Sequence, residues 1–91
     1  MKLNELLDVK YENFLAMQSN PSIKSWQQVA NEKGLTLKEF VYMNRIYITY
    51  EDFSKLGDDE WIKMKTLTKC IKQKYGMDRY YLTKKGLKEL L

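Results

Sequence analysis

The sequence predicts a mainly α fold with a small two- or three-stranded β element, held in a single domain over residues 1–91. Three observations predict it. Apolar residues recur at helical spacing over most of the chain, two capping patterns flank Gly34, and two short segments, RIYIT at 45–49 and RYYLT at 79–83, alternate like half-buried strands. At 91 residues and 44% apolar content the chain can bury one core but has no room for a separate catalytic module.

Residues 3 to about 18 place Leu3, Leu6, Leu7, Tyr11, Phe14 and Met17 on one arc, with Glu5, Asp8 and Glu12 off it. This is the pattern of an amphipathic helix that covers a core, or alternatively of a dimer contact. Ser19, Asn20 and Pro21 are expected to end it, because the residue before proline is pushed out of helical geometry.

Residues 25–45, SWQQVANEKGLTLKEFVYMNR, read as two short helices joined by a glycine turn. Ser25 with Gln28, and Thr36 with Glu39, have the spacing of capping boxes, and Gly34 sits where the backbone wants positive φ. Trp26, Val29 and Ala30 fall on one side of the first helix and Leu37, Phe40 and Val41 on one side of the second, with Leu35 plugging the junction. Lys38, Glu39, Tyr42 and Arg45 are then expected to face outward.

Ile46 and Ile48 alternate with Arg45, Tyr47 and Thr49 in the manner of a strand, Asn44 is read as a left-handed helix terminator before it, and Thr49 caps a short helix that buries Phe53 and Leu56. Residues 58–75 are expected to form the longest helix. Asp58, Asp59 and Glu60 suit its positive end, and Lys72 and Lys74 its negative end. Met64, Leu67, Ile71 and Tyr75 form its buried arc, with Trp61 and Cys70 at the margins and Lys65, Lys69 and Lys72 opposite. Gly76 ends it, and residues 79–90, RYYLTKKGLKEL, repeat the order Arg, Tyr, aliphatic, Thr of residues 45–56 before a last helix capped by Thr83.

Composition excludes several function classes. There is no histidine and Cys70 is the one cysteine, which removes histidine-based acid–base catalysis, His or multi-Cys zinc sites and an intrachain disulfide. No glycine-rich phosphate loop or spaced carboxylate pair appears, so the chain is not expected to be an enzyme, and no cofactor, metal or small-molecule substrate is implied. The apolar runs are too short to span a membrane and MKLNELL is unlike a signal peptide, so a cytoplasmic location is the default expectation.

Ala30, then three residues, then Gly34, Leu35 and Thr36, with Phe40 and Met43 at later apolar positions, resembles the helix-turn-helix of DNA-binding proteins. Leu82, Thr83 and Gly86 in RYYLTKKGLKELL resemble the end of winged-helix proteins, where a wing strand runs into a threonine-capped last helix. Together they identify a winged helix-turn-helix resemblance, which implies that one helix enters the major groove of double-stranded DNA. The chain departs from the family pattern in the long helix expected between the hairpin and the second strand. Either the wing pairs with RIYIT across that insertion, or the recognition helix is residues 58–75 and the front hairpin is scaffold.

Charge agrees with a polyanionic partner. The net charge is +4, yet residues 46–60 sum to −4 and residues 61–91 to +7. The expected DNA-binding residues are Lys38, Tyr42 and Arg45 at base edges, Arg45, Tyr47, Arg79 and Tyr81 on the face that the two strands share if they lie side by side, the stripe Lys65, Lys69 and Lys72, and Lys84 and Lys85. The corresponding role is that of a transcriptional regulator or a DNA-processing accessory factor of a mobile element; the alternatives are a protein-interaction module and, through Tyr47 and Tyr81, a single-strand binder. A homodimer, common among such proteins, is left open because no heptad long enough to specify one appears.

Overall fold

The computed structural model describes residues 1–90. Its elements are α1 (Leu3–Ala16), α2 (Asn20–Glu32), α3 (Leu37–Asn44), a 3-10 helix (Tyr50–Lys55), α4 (Asp58–Leu67), β1 (Thr68–Ile71), β2 (Arg79–Leu82) and α5 (Lys84–Leu90). The fold is mainly helical with a two-stranded antiparallel sheet, in one body.

The hairpin between α2 and α3 forms for the reasons its residues give. Gly34 has φ +71°, its N–H donates to Asn31, and the Leu35 N–H reaches back to the Ala30 carbonyl at 2.9 Å, so the carbonyls at the end of α2 are satisfied. Thr36 accepts from the Glu39 N–H at 3.1 Å while the Glu39 carboxylate accepts from the Thr36 N–H at 2.9 Å. The hydrogen bond from the Thr36 N–H, helped by the nearby Thr36 hydroxyl, holds the Glu39 carboxyl below the usual range.

The start of α2 differs from expectation. Ser19, not Ser25, is the cap, accepting from the Ser22 N–H, and Pro21 lies in the first turn of α2. Proline lacks the N–H that has no partner there in any case, so it opens this helix better than it closes the previous one.

The core gathers Leu3, Leu6 and Leu7 of α1 with Val41 of α3, Ile48, Phe53, Met64 of α4, Leu82 of β2 and Leu87 of α5. α2 joins at the side, through buried Ala30 and a Trp26–Phe40 stack at 5.9 Å. Two buried carboxylates pin the chain. Glu60 accepts from the Leu3 N–H at 3.0 Å, satisfying a free donor at the start of α1, and Asp52 accepts from the Thr49 N–H at 2.9 Å and pairs with Lys10 at 2.9 Å.

Three expectations are corrected by the middle of the chain. The helix begun at Asp58 stops at Leu67, and residues 68–71 form β1, paired with β2 in the register Thr68 to Leu82 and Ile71 to Arg79. Ile71 and Tyr75 are therefore exposed rather than on a buried arc, and Cys70, expected at its margin, is exposed as well. RIYIT is not a full strand: it meets β2 at a single bridge, Ile48 to Tyr80, with two backbone hydrogen bonds of 2.9 Å. Asn44 is not left-handed, since no residue other than glycine has positive φ among those described; its side chain instead donates to the Phe40 carbonyl at 3.0 Å.

At the end of the chain the Thr83 N–H donates to the Leu67 carbonyl at 3.0 Å and its hydroxyl accepts from the Gly86 N–H at 3.0 Å. One residue thus caps α5 and ties it to the α4–β1 junction.

Candidate nucleic-acid interface

Alternation along a strand sends Lys69 and Ile71 of β1, with Arg79 and Tyr81 of β2, to one face of the sheet, since Lys69 pairs with Tyr81 and Ile71 with Arg79. The opposite face carries Tyr80, packed on Phe53 at 5.4 Å, and buried Leu82. The Ile48 bridge brings Tyr47 beside Tyr81, with ring centroids 5.6 Å apart. The Arg79 guanidinium lies over the Tyr47 ring at 4.6 Å. Lys69, Tyr81 and Tyr47 thus form one row across the outer face.

The neighbouring Tyr81 hydroxyl and Tyr47 push the Arg79 pKa up, so this guanidinium stays charged at every accessible pH. Beside the row, the end of α3 and the start of α5 enclose an open cleft of about 460 Å³. Met43, Ile71 and Leu82 supply its apolar walls, Tyr81 an aromatic ring, and Lys69 and Lys84 its cations.

The four ion pairs among the described residues all use cations before Lys65, although Lys2, Lys24, Lys33 and Arg45 take part in none. Lys10 and Lys55 pair with Asp52, Lys63 with Glu60, and Lys38 with Asp8. Among the described residues no cation from Lys65 onward takes part in one. The acidic groups Asp58 and Asp59 stand at the start of α4 near Met1 and Lys2, about 15 Å of helix away from the lysines of the hairpin.

Of the residues expected to bind DNA, Tyr47, Lys69, Arg79, Tyr81 and Lys84 are brought together at this face. Lys85 is exposed next to Lys84 at the start of α5. Lys65, Lys69 and Lys72 are all exposed but do not form a stripe along one helix: Lys65 is on α4, Lys69 on β1 and Lys72 in the hairpin loop. Half-exposed Lys38 and exposed Arg45 lie outside this group and rest against aromatic rings of their own part of the fold. Lys38 sits 5.6 Å from the centroids of both Tyr11 and Tyr42, and Arg45 lies over Trp26 at 3.8 Å.

Tyr42 is a correction. It is 1% exposed, packs edge-on against Tyr11 at 5.4 Å and donates its hydroxyl to Asp8. Of the expected outward face of α3 only Tyr42 is covered, because α1 packs against that part of the helix; Arg45 stays exposed and Lys38 and Glu39 half-exposed. Burial, followed by the Asp8 bond, drives the Tyr42 pKa up.

Lys74, Tyr75 and Met77 of the hairpin loop were not among the expected site residues, though Tyr75 is 85% exposed. Reading 58–75 as one helix concealed them. The signal was present in the β-branched and alternating run Thr66, Thr68, Cys70 and Ile71, which suits a strand better than a helix, and in Gly76 at φ +98°, which suits a hairpin loop.

No helix among the described residues is long and apolar enough to cross a membrane. Comparisons with family models, curated proteins and solved structures return no match for this chain.

Proposed function

We propose that this protein binds double-stranded DNA through the β1–β2 hairpin and the elements that flank it. The observation that carries the reading is the segregation of charge: every cation from Lys65 onward lacks an ion-pair partner among the described residues, while buried Asp52 and Glu60 are engaged by lysines earlier in the chain. Unneutralised lysines on one contiguous stretch of fold exchange readily for the counterions of a phosphate backbone. Lys65, Lys69, Lys72, Arg79, Lys84 and Lys85 are the backbone contacts in this reading.

The order short helix, turn, α4, hairpin supports α4 as the helix that enters the major groove, with α2 and α3 as scaffold. Its exposed Ile62 and Thr66 can meet base edges, Ile62 being 72% exposed. Burial of Tyr42 weighs against α3 in that role. Regulation of transcription and accessory DNA processing are both roles such a module serves.

The test is a titration of random-sequence duplex at two salt concentrations. Six phosphate contacts give a log–log salt slope near roughly −5. Absence of duplex binding at low salt rejects the reading. Exposed Ile62 beside Asp58 and Asp59 favours the second reading, a protein-interaction module that uses α4 against a partner with an apolar, basic groove.

A further inference from the structure

The cleft beside the sheet is unsuited to an intact duplex. It is concave and mostly apolar, whereas a paired, stacked duplex offers only phosphates and groove edges to a protein surface. Its volume of about 460 Å³ lies in the range of sites that enclose a small planar group. Met43, Ile71 and Leu82 form the walls, and Tyr81, held against Tyr47, gives an aromatic ring for stacking. At the rim stand Lys69 and Lys84, neither of which has an ion-pair partner among the described residues, and Asn44, whose amide nitrogen is engaged by Phe40 while its carbonyl oxygen remains an acceptor. Apolar walls and one aromatic ring between two ammonium groups match an unpaired base with a phosphate on either side.

We infer that this cleft receives one unpaired nucleotide, its base against Tyr81 and its flanking phosphates on Lys69 and Lys84, so that the protein prefers a duplex continuing into single strand over a blunt duplex. The inference rests on the nucleic-acid reading above and adds a structural preference to it. Because Lys69 and Lys84 also belong to the duplex contacts, the cleft lies where a strand leaving the duplex can reach it.

The experiment compares three labelled DNAs by fluorescence anisotropy at fixed salt: a blunt duplex, the same duplex with a short oligothymidine extension on either strand, and the same duplex with an abasic extension of equal length. The base-bearing extension is expected to bind about 10-fold tighter than the blunt end, equivalent to about 1.4 kcal/mol, and the abasic one to bind no tighter than the extra phosphates require. In Tyr81→Leu the ratio between base-bearing and abasic DNAs falls towards one, and in Tyr81→Phe it is kept. Equal gains from both extensions in the unaltered protein mean that charge alone acts and overturn the cleft assignment. Equal affinity for all three DNAs overturns it too, while leaving duplex binding intact. Failure of every DNA to bind removes the duplex reading as well, and binding of only the thymidine-extended DNA removes that reading while keeping the cleft.

Discussion

Gly86 lies directly against the carbonyl oxygen of Leu67, so close that a Cβ would collide with that oxygen and come within 2.9 Å of Leu82 Cδ2. This contact brings the first turn of α5 onto the point where α4 becomes β1, and Thr83 bonds the same carbonyl from the other side of the turn. Gly86→Ala should therefore destabilise by about 1–3 kcal/mol, the usual cost of overpacking. Urea denaturation checks it; an unchanged midpoint would mean the two helices separate without penalty.

At Gly34 the constraint is conformational instead, since a Cβ there would meet nothing within 4 Å but φ is +71°. Gly34→Val is expected to lower stability by about 1–2 kcal/mol, the cost of left-handed geometry for an L-residue. Gly57, at the N-cap of α4 with ordinary φ and open space around it, gives a control position where alanine should cost far less. Equal melting shifts at the two positions would remove the conformational argument.

Tyr42→Phe removes the hydroxyl bonded to Asp8 and should lose about 1–3 kcal/mol, the range for a hydrogen bond to a charged group. Its folded-state pKa is raised above the ordinary tyrosine value of 10.0. The stability it contributes is therefore complete below that value and is lost as pH rises towards the folded pKa. The variant should show a flatter loss of stability in alkali. DNA preference should not change; a shift in preference at unaltered stability would put Tyr42 back at an interface.

Asp52 and Glu60 titrate in the opposite sense. Burial pushes Asp52 up, but bonds from Thr49 and Lys10 outweigh it, and the Leu3 N–H and then Lys63 lower Glu60. Both contribute stability that is present above their ordinary values of 3.8 and 4.5 and lost as pH falls below them. Asp52→Asn should be less stable at neutral pH and less sensitive between neutrality and strong acid. Thermal melts across that range decide it, and an acid sensitivity equal to that of the unaltered protein would assign the effect to other groups.

Replacing Lys69, Lys72 and Lys84 together by glutamine should weaken binding to all duplexes alike and make the salt slope less negative by about 3. Changing Ile62 or Thr66 on α4 should alter preference among sequences with little change in that slope. If the triple variant binds with an unaltered slope, the hairpin is not on the backbone.

Much of this architecture could be read from residues close together in the chain. The Thr36 and Glu39 box, the turn at Gly34, the Thr49 and Asp52 pair and the Thr83 cap all depend on neighbours within a few positions, so the sequence alone determined them. It also determined that positive charge collects after residue 60, whereas the meeting of Tyr47 with Arg79 and Tyr81 rests on the distant Ile48–Tyr80 bridge, and Arg45, expected on the same face, lies over Trp26. Only the tertiary structure decided that α1 closes over Tyr42, that the chain leaves helix at Leu67, and that a cleft opens between α3 and the sheet. The reason is that a helical face is buried or exposed according to how many elements pack on it. A run such as Thr68–Ile71 becomes a strand because a distant partner, Arg79–Leu82, supplies its hydrogen bonds. Neither condition is written in the local pattern.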